Sequence, residues 1–134
     1  MFQRRIQVGG QFFMTGPVMD PASVRPTAER LQLADAPPVY LELTPPVSPQ
    51  WVERIEGVGG TPVGEAVRAR LASTPQAEQR LLAWRIAKAV AAEARDAGFA
   101  GIVIMGLRFS TAIEEAYEIW QDDRVTPLFP ASEA

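Results

Sequence analysis

The apolar residues of this chain fall into three short runs, and each run is followed by residues with a helical period. The clearest run is 98–106, in which glycines flank the β-branched stretch Ile102–Met105. Its length, its β-branching and its flanking glycines favour a short strand that is buried on both faces. Two similar runs, 11–15 and 39–43, predict a first and a second strand. Gly16-Pro17 is expected to end the first of them.

The segments between the runs carry apolar residues at the spacing of amphipathic helices. Asp20-Pro21 and Ser48-Pro49 predict the starts of two helices, because each pair places a capping side chain before a proline at the first helical position. Thr74-Pro75 predicts the start of the longest helix in the same way. The predicted buried stripe of that helix is Leu82, Ile86, Val90 and Ala94.

Each of the three predicted strands is followed by a segment with a helical period. This order of elements predicts an α/β fold with parallel strands. We expect one βα domain over residues 1–121. Residues 122–134 hold two prolines and no period, and are predicted to form a tail.

The composition narrows the function classes. The 134 residues suffice for one domain or part of one, and the net charge of −3 comes from acids and bases mixed along the chain. No basic block points to nucleic acid or a membrane surface, and no apolar stretch reaches the roughly 18 residues of a membrane span. The cytoplasm is the expected location. The absence of cysteine and histidine excludes disulfides and thiolate chemistry, and removes the commonest general base and metal ligand.

The loops after the three strands form the expected ligand face, because ligands of α/β folds bind at the carboxyl ends of parallel strands. These loops begin at Thr15-Gly16-Pro17, at Thr44 and at Gly106. Arg108 in the third loop could pair with an anion or simply be solvated. The segment 57–61 is rich in glycine but lacks the lysine of a phosphate loop and follows a helix, which favours an ordinary turn.

In order and spacing, these motifs resemble the later part of the methylenetetrahydrofolate reductase barrel. The resemblance begins at Gln3–Asp20, which holds an arginine-containing helix end, a glycine, an apolar strand and then Thr-Gly-Pro-Val-Met-Asp. It continues through Pro46-Val47-Ser48, Gly57-Val58 and Pro62. It ends with the long helix, the strand Gly101–Met105 and a helix over 113–120, and so covers most of the chain.

The resemblance implies a partial (β/α) barrel, with this chain supplying about three of the eight units of a TIM barrel. That family binds FAD and reduces methylenetetrahydrofolate with a nicotinamide donor. The residues carried over to the folate side are Thr15, Gly16, Met105, Leu107 and Arg108.

Two departures bear on activity. Gly16 stands where the family has a glutamine that contacts the pterin, and Arg108 is displaced by one position. The family's catalytic glutamate and most of its flavin contacts belong to the other half of the barrel. The expectation is therefore a reductase-like protein of folate metabolism that is inactive alone and binds no FAD by itself. The alternatives are a non-catalytic binding or oligomerisation module, and a truncated remnant without the flavin half.

Three strands with helices on one side would leave a bare inner face. We expect Phe12 or Phe13, Tyr40 or Leu41, and Ile102 or Ile104 to point toward it. A large exposed apolar patch marks a partner surface. The expected partners are a second copy or a complementing protein chain, with a folate as the small ligand.

Overall fold

The computed structural model describes residues 2–7, 9–106 and 112–128. They form an α/β structure in which one parallel sheet is flanked by helices. The strands are β1 (Phe13–Val18), β2 (Val39–Leu43) and β3 (Gly101–Ile104). The helices are α1 (Phe2–Gln7), α2 (Val24–Leu31), α3 (Pro49–Gly57), α4 (Glu65–Ser73), α5 (Gln76–Ala97) and α6 (Ala112–Gln121). Short 3-10 turns at Pro21–Ser23 and Leu33–Asp35 precede α2 and β2 respectively.

The strands lie in the order β1-β2-β3, so neighbours in sequence are neighbours in space. Both pairings are parallel, with Phe13 opposite Val39 and Leu41 opposite Ile102. The predicted parallel α/β class is therefore confirmed, and β2 is the central strand.

The predicted end of β1 is wrong, because the strand continues through Gly16 and Pro17 to Val18. Proline lacks an N–H and is tolerated where a strand lies at the edge of a sheet, as β1 does. The register shifts between Met14 and Pro17, and there the Thr15 hydroxyl accepts the backbone N–H of Glu42 at 3.0 Å. A side chain thus replaces a backbone carbonyl at the irregularity.

The main core lies between one face of the sheet and helices α2, α5 and α6. Val39, Leu41 and Leu43 of β2 are buried on this face, where they meet the alanine-rich side of α5. The predicted stripe of α5 is confirmed. Its buried members are Leu82, Ile86, Val90 and Ala94. Trp84 and Ala89 are buried as well, because α5 also packs against other helices.

A second apolar cluster joins α3 and α4 to α5 and to Met19, which follows β1. Its fully buried members include Met19, Val52, Val67, Leu71 and Ile86. The predicted cap Ser48 is confirmed, since its hydroxyl accepts the N–H of Trp51 at 3.1 Å. The predicted cap Thr74 is wrong: its hydroxyl donates to Arg70 O and closes α4, while Pro75 occupies the N-cap position of α5.

The other face of the sheet carries the alternate side chains of the strands. Tyr40 lies on it, as one of the two alternatives for β2 predicted. Ile102 and Ile104 do not, because both pack into the helix-side cluster. Val103 and Met105 take their places. We call this surface, formed by Phe12, Met14, Tyr40, Glu42, Val103 and Met105, the open face.

Residues 122–128 of the predicted tail pack against α5. Lys88 Nζ donates to Asp122 O at 2.8 Å, and Leu128 N donates to Arg85 O at 3.1 Å. Within the described ranges, no helix is long and apolar enough to cross a membrane.

Candidate functional site

A groove of about 440 Å³ opens at the carboxyl end of the sheet. Val47 and Ser48, which follow β2, and Gly106, which follows β3, form one side of it. Residues of α3 and α5 form the other side. Their described lining residues are Gln50, Trp51, Arg54, Gln76, Gln79, Arg80 and Trp84. The groove therefore lies where ligands of parallel α/β sheets bind.

Gly106 shapes the floor of this groove. Its φ of +80° is a left-handed conformation that favours glycine. A Cβ at this position would also lie 2.9 Å from Thr44 Cγ2 and 3.1 Å from Trp51 Cζ2. The backbone after β3 can approach the Trp51 indole only because residue 106 has no side chain.

One wall of the groove is locked by a three-residue contact. The guanidinium of Arg80 donates to both carboxylate oxygens of Glu115 on α6, with Nε 2.5 Å from Oε1. The indole N–H of Trp84 donates to the same Oε1 at 3.0 Å. Trp84 is only 1% exposed, so this carboxylate ties α6 to α5 over a buried ring. The charge of Arg80 is thereby matched by Glu115.

Arg54 supplies the remaining positive charge. It is exposed on α3 and forms no ion pair with any residue in the described ranges. The amide nitrogen of Gln79 is held by Leu71 O at 3.3 Å and Thr74 O at 3.1 Å, which fixes that part of the wall. The groove thus combines indole and amide surface with one available guanidinium, a set that suits a flat molecule carrying an acidic group.

The predicted site residues are separated by the structure. Thr15 and Gly16 lie inside β1 rather than after it, and the Thr15 hydroxyl is occupied by Glu42 N and Gly16 O. Met105 directly follows β3, and its N–H pairs with Leu43 O at 2.9 Å. Leu107 and Arg108 lie outside the described residues. Of the three predicted loops, those after β2 and β3 line the groove.

The carboxyl end of β1 is covered by the loop between α3 and α4. The buried Asp20 carboxylate accepts the N–H of Ala22 at 2.9 Å and that of Gly64 at 2.7 Å. Thr61 N donates to Pro17 O at 2.9 Å. We call the Asp20 contacts the Asp20 clamp. Because this loop occupies the end of β1, the groove is built on β2 and β3.

The glycine-rich segment 57–61 is a turn, as the favoured interpretation predicted. Its N–H groups bond within the protein: those of Val58 and Gly60 to Ile55 O, Gly59 to Glu56 O and Thr61 to Pro17 O. A phosphate cradle needs such N–H groups to point outward at the ligand. The described residues therefore do not fit the pyrophosphate of FAD at this loop, and we derive no flavin step from this chain.

Sequence reasoning missed the groove residues on helices. Trp84 is buried in the main core and Trp51 packs against the second cluster, and both also line the groove. Glu115 pairs with Arg80, which lies 35 residues away in sequence, so no local pattern connects the two. The one available signal for Arg54 is its position in the second turn of the helix that Ser48 caps, which is the helix that follows the second strand.

Comparisons with known proteins assign no family. No protein-family model, no curated protein and no solved structure matches this chain. Among the described residues, no group of three acidic side chains lies close enough together to hold a metal ion. Any functional conclusion must therefore rest on the groove, the open face and the motifs of the sequence.

Proposed function

We propose that this chain is the folate-side part of a methylenetetrahydrofolate reductase-like barrel, which binds a folate in the carboxyl-end groove and needs a second chain for activity. The observation that carries the proposal is the groove itself. It joins the loops after two adjacent parallel strands to an indole, a row of amides and the guanidinium of Arg54. A folate is a flat ring system with carboxylates at one end, and this lining matches both parts.

The sheet adds support from its topology. Consecutive strands in the order β1-β2-β3 are what a segment of a (β/α) barrel would show, because each barrel strand pairs with its neighbours in sequence. The described helices that contact the sheet pack on one face, and the other face carries side chains that a closed barrel would bury. A second chain that covers the open face would complete such an enclosure.

Titration with 5-methyltetrahydrofolate tests the ligand, with calorimetry for affinity and amide chemical shifts for location. We expect binding to shift Gly106 and the indole of Trp51. The Arg54→Gln variant should bind at least about tenfold more weakly, since a hydrogen bond to a charged group contributes about 1.5–3 kcal/mol. Arg95→Gln is the matched control. Arg95 is an exposed arginine on α5 that lies about 22 Å along the helix from the groove residue Arg80, so its loss should leave ligand binding unchanged.

Two results would overturn the folate assignment. One is the absence of binding at millimolar ligand by a folded protein. The other is binding that is equally strong in wild type and Arg54→Gln, with shifts confined to the 57–61 turn.

The second candidate function is a non-catalytic binding or oligomerisation module. It is favoured by the contacts of Glu115, because this carboxylate is held by the groove residues Arg80 and Trp84 and serves structure rather than proton transfer. Mixing the chain with the amino-terminal half of an active family member separates the two candidates. Methylenetetrahydrofolate-dependent NADH oxidation that requires both halves supports the enzyme component, and a stable complex without turnover supports the module.

A further inference from the structure

A second cavity, of about 210 Å³, lies at the opposite end of the sheet from the groove. It runs along the outer edge of β1, between that strand and helices α1 and α2. Phe13 and Val39, the first residues of β1 and β2, are partners in the strand register, and both line this cavity. It shares no described lining residue with the groove. The cavity is therefore a separate concave site at the amino end of the strands, and the proposed function gives it no role.

The apolar wall of this cavity is fixed by contacts between α1, α2 and the sheet. The Phe2 ring of α1 meets the Phe13 ring edge to face, with ring centroids 4.9 Å apart. Gly10 permits this placement, because a Cβ at residue 10 would overlap the Phe13 ring. Leu31 and Val39 complete the wall, and all four apolar side chains belong to the main core or pack against it. The fold thus presents a rigid hydrocarbon surface to a ligand in the cavity.

Two arginines stand at the rim of the cavity. Arg5 belongs to α1 and Arg30 to α2, and both are exposed. Arg30 forms no ion pair with any residue in the described ranges. No acidic side chain is among the described lining residues. A guanidinium carries five N–H donors, so each arginine can bind an anion alongside another contact.

The hydroxyl groups that line the cavity are already used as donors. The Thr27 hydroxyl donates to Ser23 O at 2.7 Å. The Thr15 hydroxyl donates to Gly16 O at 2.8 Å and accepts the N–H of Glu42. A hydroxyl has a single O–H donor, so neither side chain has a proton left to donate to a ligand. Among the described side chains of the cavity, the guanidiniums are therefore the donors for recognition, and they favour an anion.

We propose that this cavity is a second binding site, which holds a small carboxylate with a flat apolar body. The carboxylate pairs with Arg5 and Arg30, because planar guanidiniums match its two oxygens. The apolar body lies against Phe2 and Phe13. The volume is less than half the 440 Å³ of the groove, which suits a single ring rather than a fused ring system. An inorganic anion would leave the aromatic wall without a partner.

A ligand held by both arginines joins α1 to α2 across the edge of β1. It stabilises the folded chain, because it binds the native state and not the unfolded one. The α1 helix has only 6 residues, so this added link bears on an element with few contacts of its own. The site thereby couples the concentration of a small organic acid to the stability of the sheet edge.

Titration of the full chain with benzoate, followed by amide chemical shifts and thermal unfolding, tests the proposal. We expect saturable binding with a dissociation constant of about 1 mM or below, shifts at Met14 and Gly16, and a higher unfolding temperature. Benzamide is the matched uncharged ligand and should bind at least about tenfold more weakly, because it forms no charge-assisted pair with an arginine. Inorganic phosphate should also bind at least about tenfold more weakly, because it has no apolar surface to bury.

Substitutions at the rim locate the charge recognition. Arg30→Gln and Arg5→Gln should each weaken benzoate binding at least about tenfold, since each removes a charged hydrogen-bond donor. Arg70→Gln, which removes an exposed arginine from α4, is the control and should follow the wild type. Circular dichroism establishes that each variant is folded.

Four results would overturn the proposal. They are a folded wild type that does not bind benzoate, an unchanged affinity in folded Arg30→Gln, an equal affinity for benzamide or phosphate, and shifts confined to Gly106 and the groove. The folate titration concerns Arg54 at the other end of the sheet, so its failure and a failure of this site are separate outcomes.

Discussion

The Asp20 clamp offers the sharpest test of how the carboxyl end of the sheet is held. Asp20 is 5% exposed, and its two carboxylate oxygens accept the N–H groups of Ala22 and of Gly64, the latter 44 residues away from Asp20 in sequence. Asp20→Ala removes both acceptors and leaves two N–H groups without them. Asp20→Asn keeps one acceptor oxygen and presents an amide nitrogen to the other N–H.

The expected magnitudes follow from the two bonds. Loss of a side-chain cap costs about 1 kcal/mol, and loss of a hydrogen bond to a charged group costs about 1.5–3 kcal/mol. Asp20→Ala should therefore lower the free energy of unfolding by about 2.5–4 kcal/mol. Asp20→Asn should lower it by about 1.5–3 kcal/mol, because only one of the two bonds survives.

Urea unfolding followed by circular dichroism gives the free energies, and hydrogen exchange gives the location. The amide of Gly64 should lose protection in both variants. Asp96→Ala is the control, since Asp96 is exposed near the end of α5 and such substitutions change stability by less than about 0.5 kcal/mol. A loss below about 1 kcal/mol for Asp20→Ala, with Gly64 protection unchanged, would show that the α3–α4 loop is held by its apolar contacts instead.

Two further substitutions probe the groove. Gly106→Ala should lower the free energy of unfolding by about 2–4 kcal/mol, because it places an alanine in a left-handed conformation and crowds Thr44. Gly57→Ala is the control and should be close to neutral, because its Cβ would meet no atom within 4 Å. Equal effects at the two glycines would contradict the close approach. Trp84→Phe should lower the free energy of unfolding by about 1.5–3 kcal/mol through loss of the hydrogen bond to the Glu115 carboxylate. In a double-mutant cycle with Glu115→Gln the two losses should be less than additive, and strict additivity would rule out the coupling.

The elements of this fold were predictable where a local pattern carries the whole signal. The run 39–43 is β2, and Ser48-Pro49 starts α3, because a short apolar run and a capping pair are both defined by neighbours in sequence. The end of β1 was not predictable in this way. Pro17 can stay in the strand only because β1 lies at a sheet edge, and edge position is a property of the assembled sheet.

The candidate site was predictable in place but not in its residues. The rule that ligands meet the carboxyl ends of strands predicts a site at the loops after β2 and β3, and the groove lies at these two loops. Helical period, however, assigns Arg54 and Trp84 only to the surface and the core, and it cannot show that α3 and α5 face each other across a groove. The pairing of Arg80 with Glu115 depends on the same arrangement of helices.

The two strand pairings differ in how much chain they enclose. Phe13 and Val39 are 39 − 13 = 26 positions apart, whereas Leu41 and Ile102 are 102 − 41 = 61 positions apart. The entropic free-energy cost of closing the longer loop is greater by about 0.8 kcal/mol, from 3/2 RT ln(61/26). The β1–β2 pair can thus form from a short stretch of chain, whereas β3 joins the sheet only at the end of the long excursion through α3, α4 and α5. The floor of the groove at Gly106 follows β3, so its position depends on the strand pairing that has the larger entropic cost of loop closure.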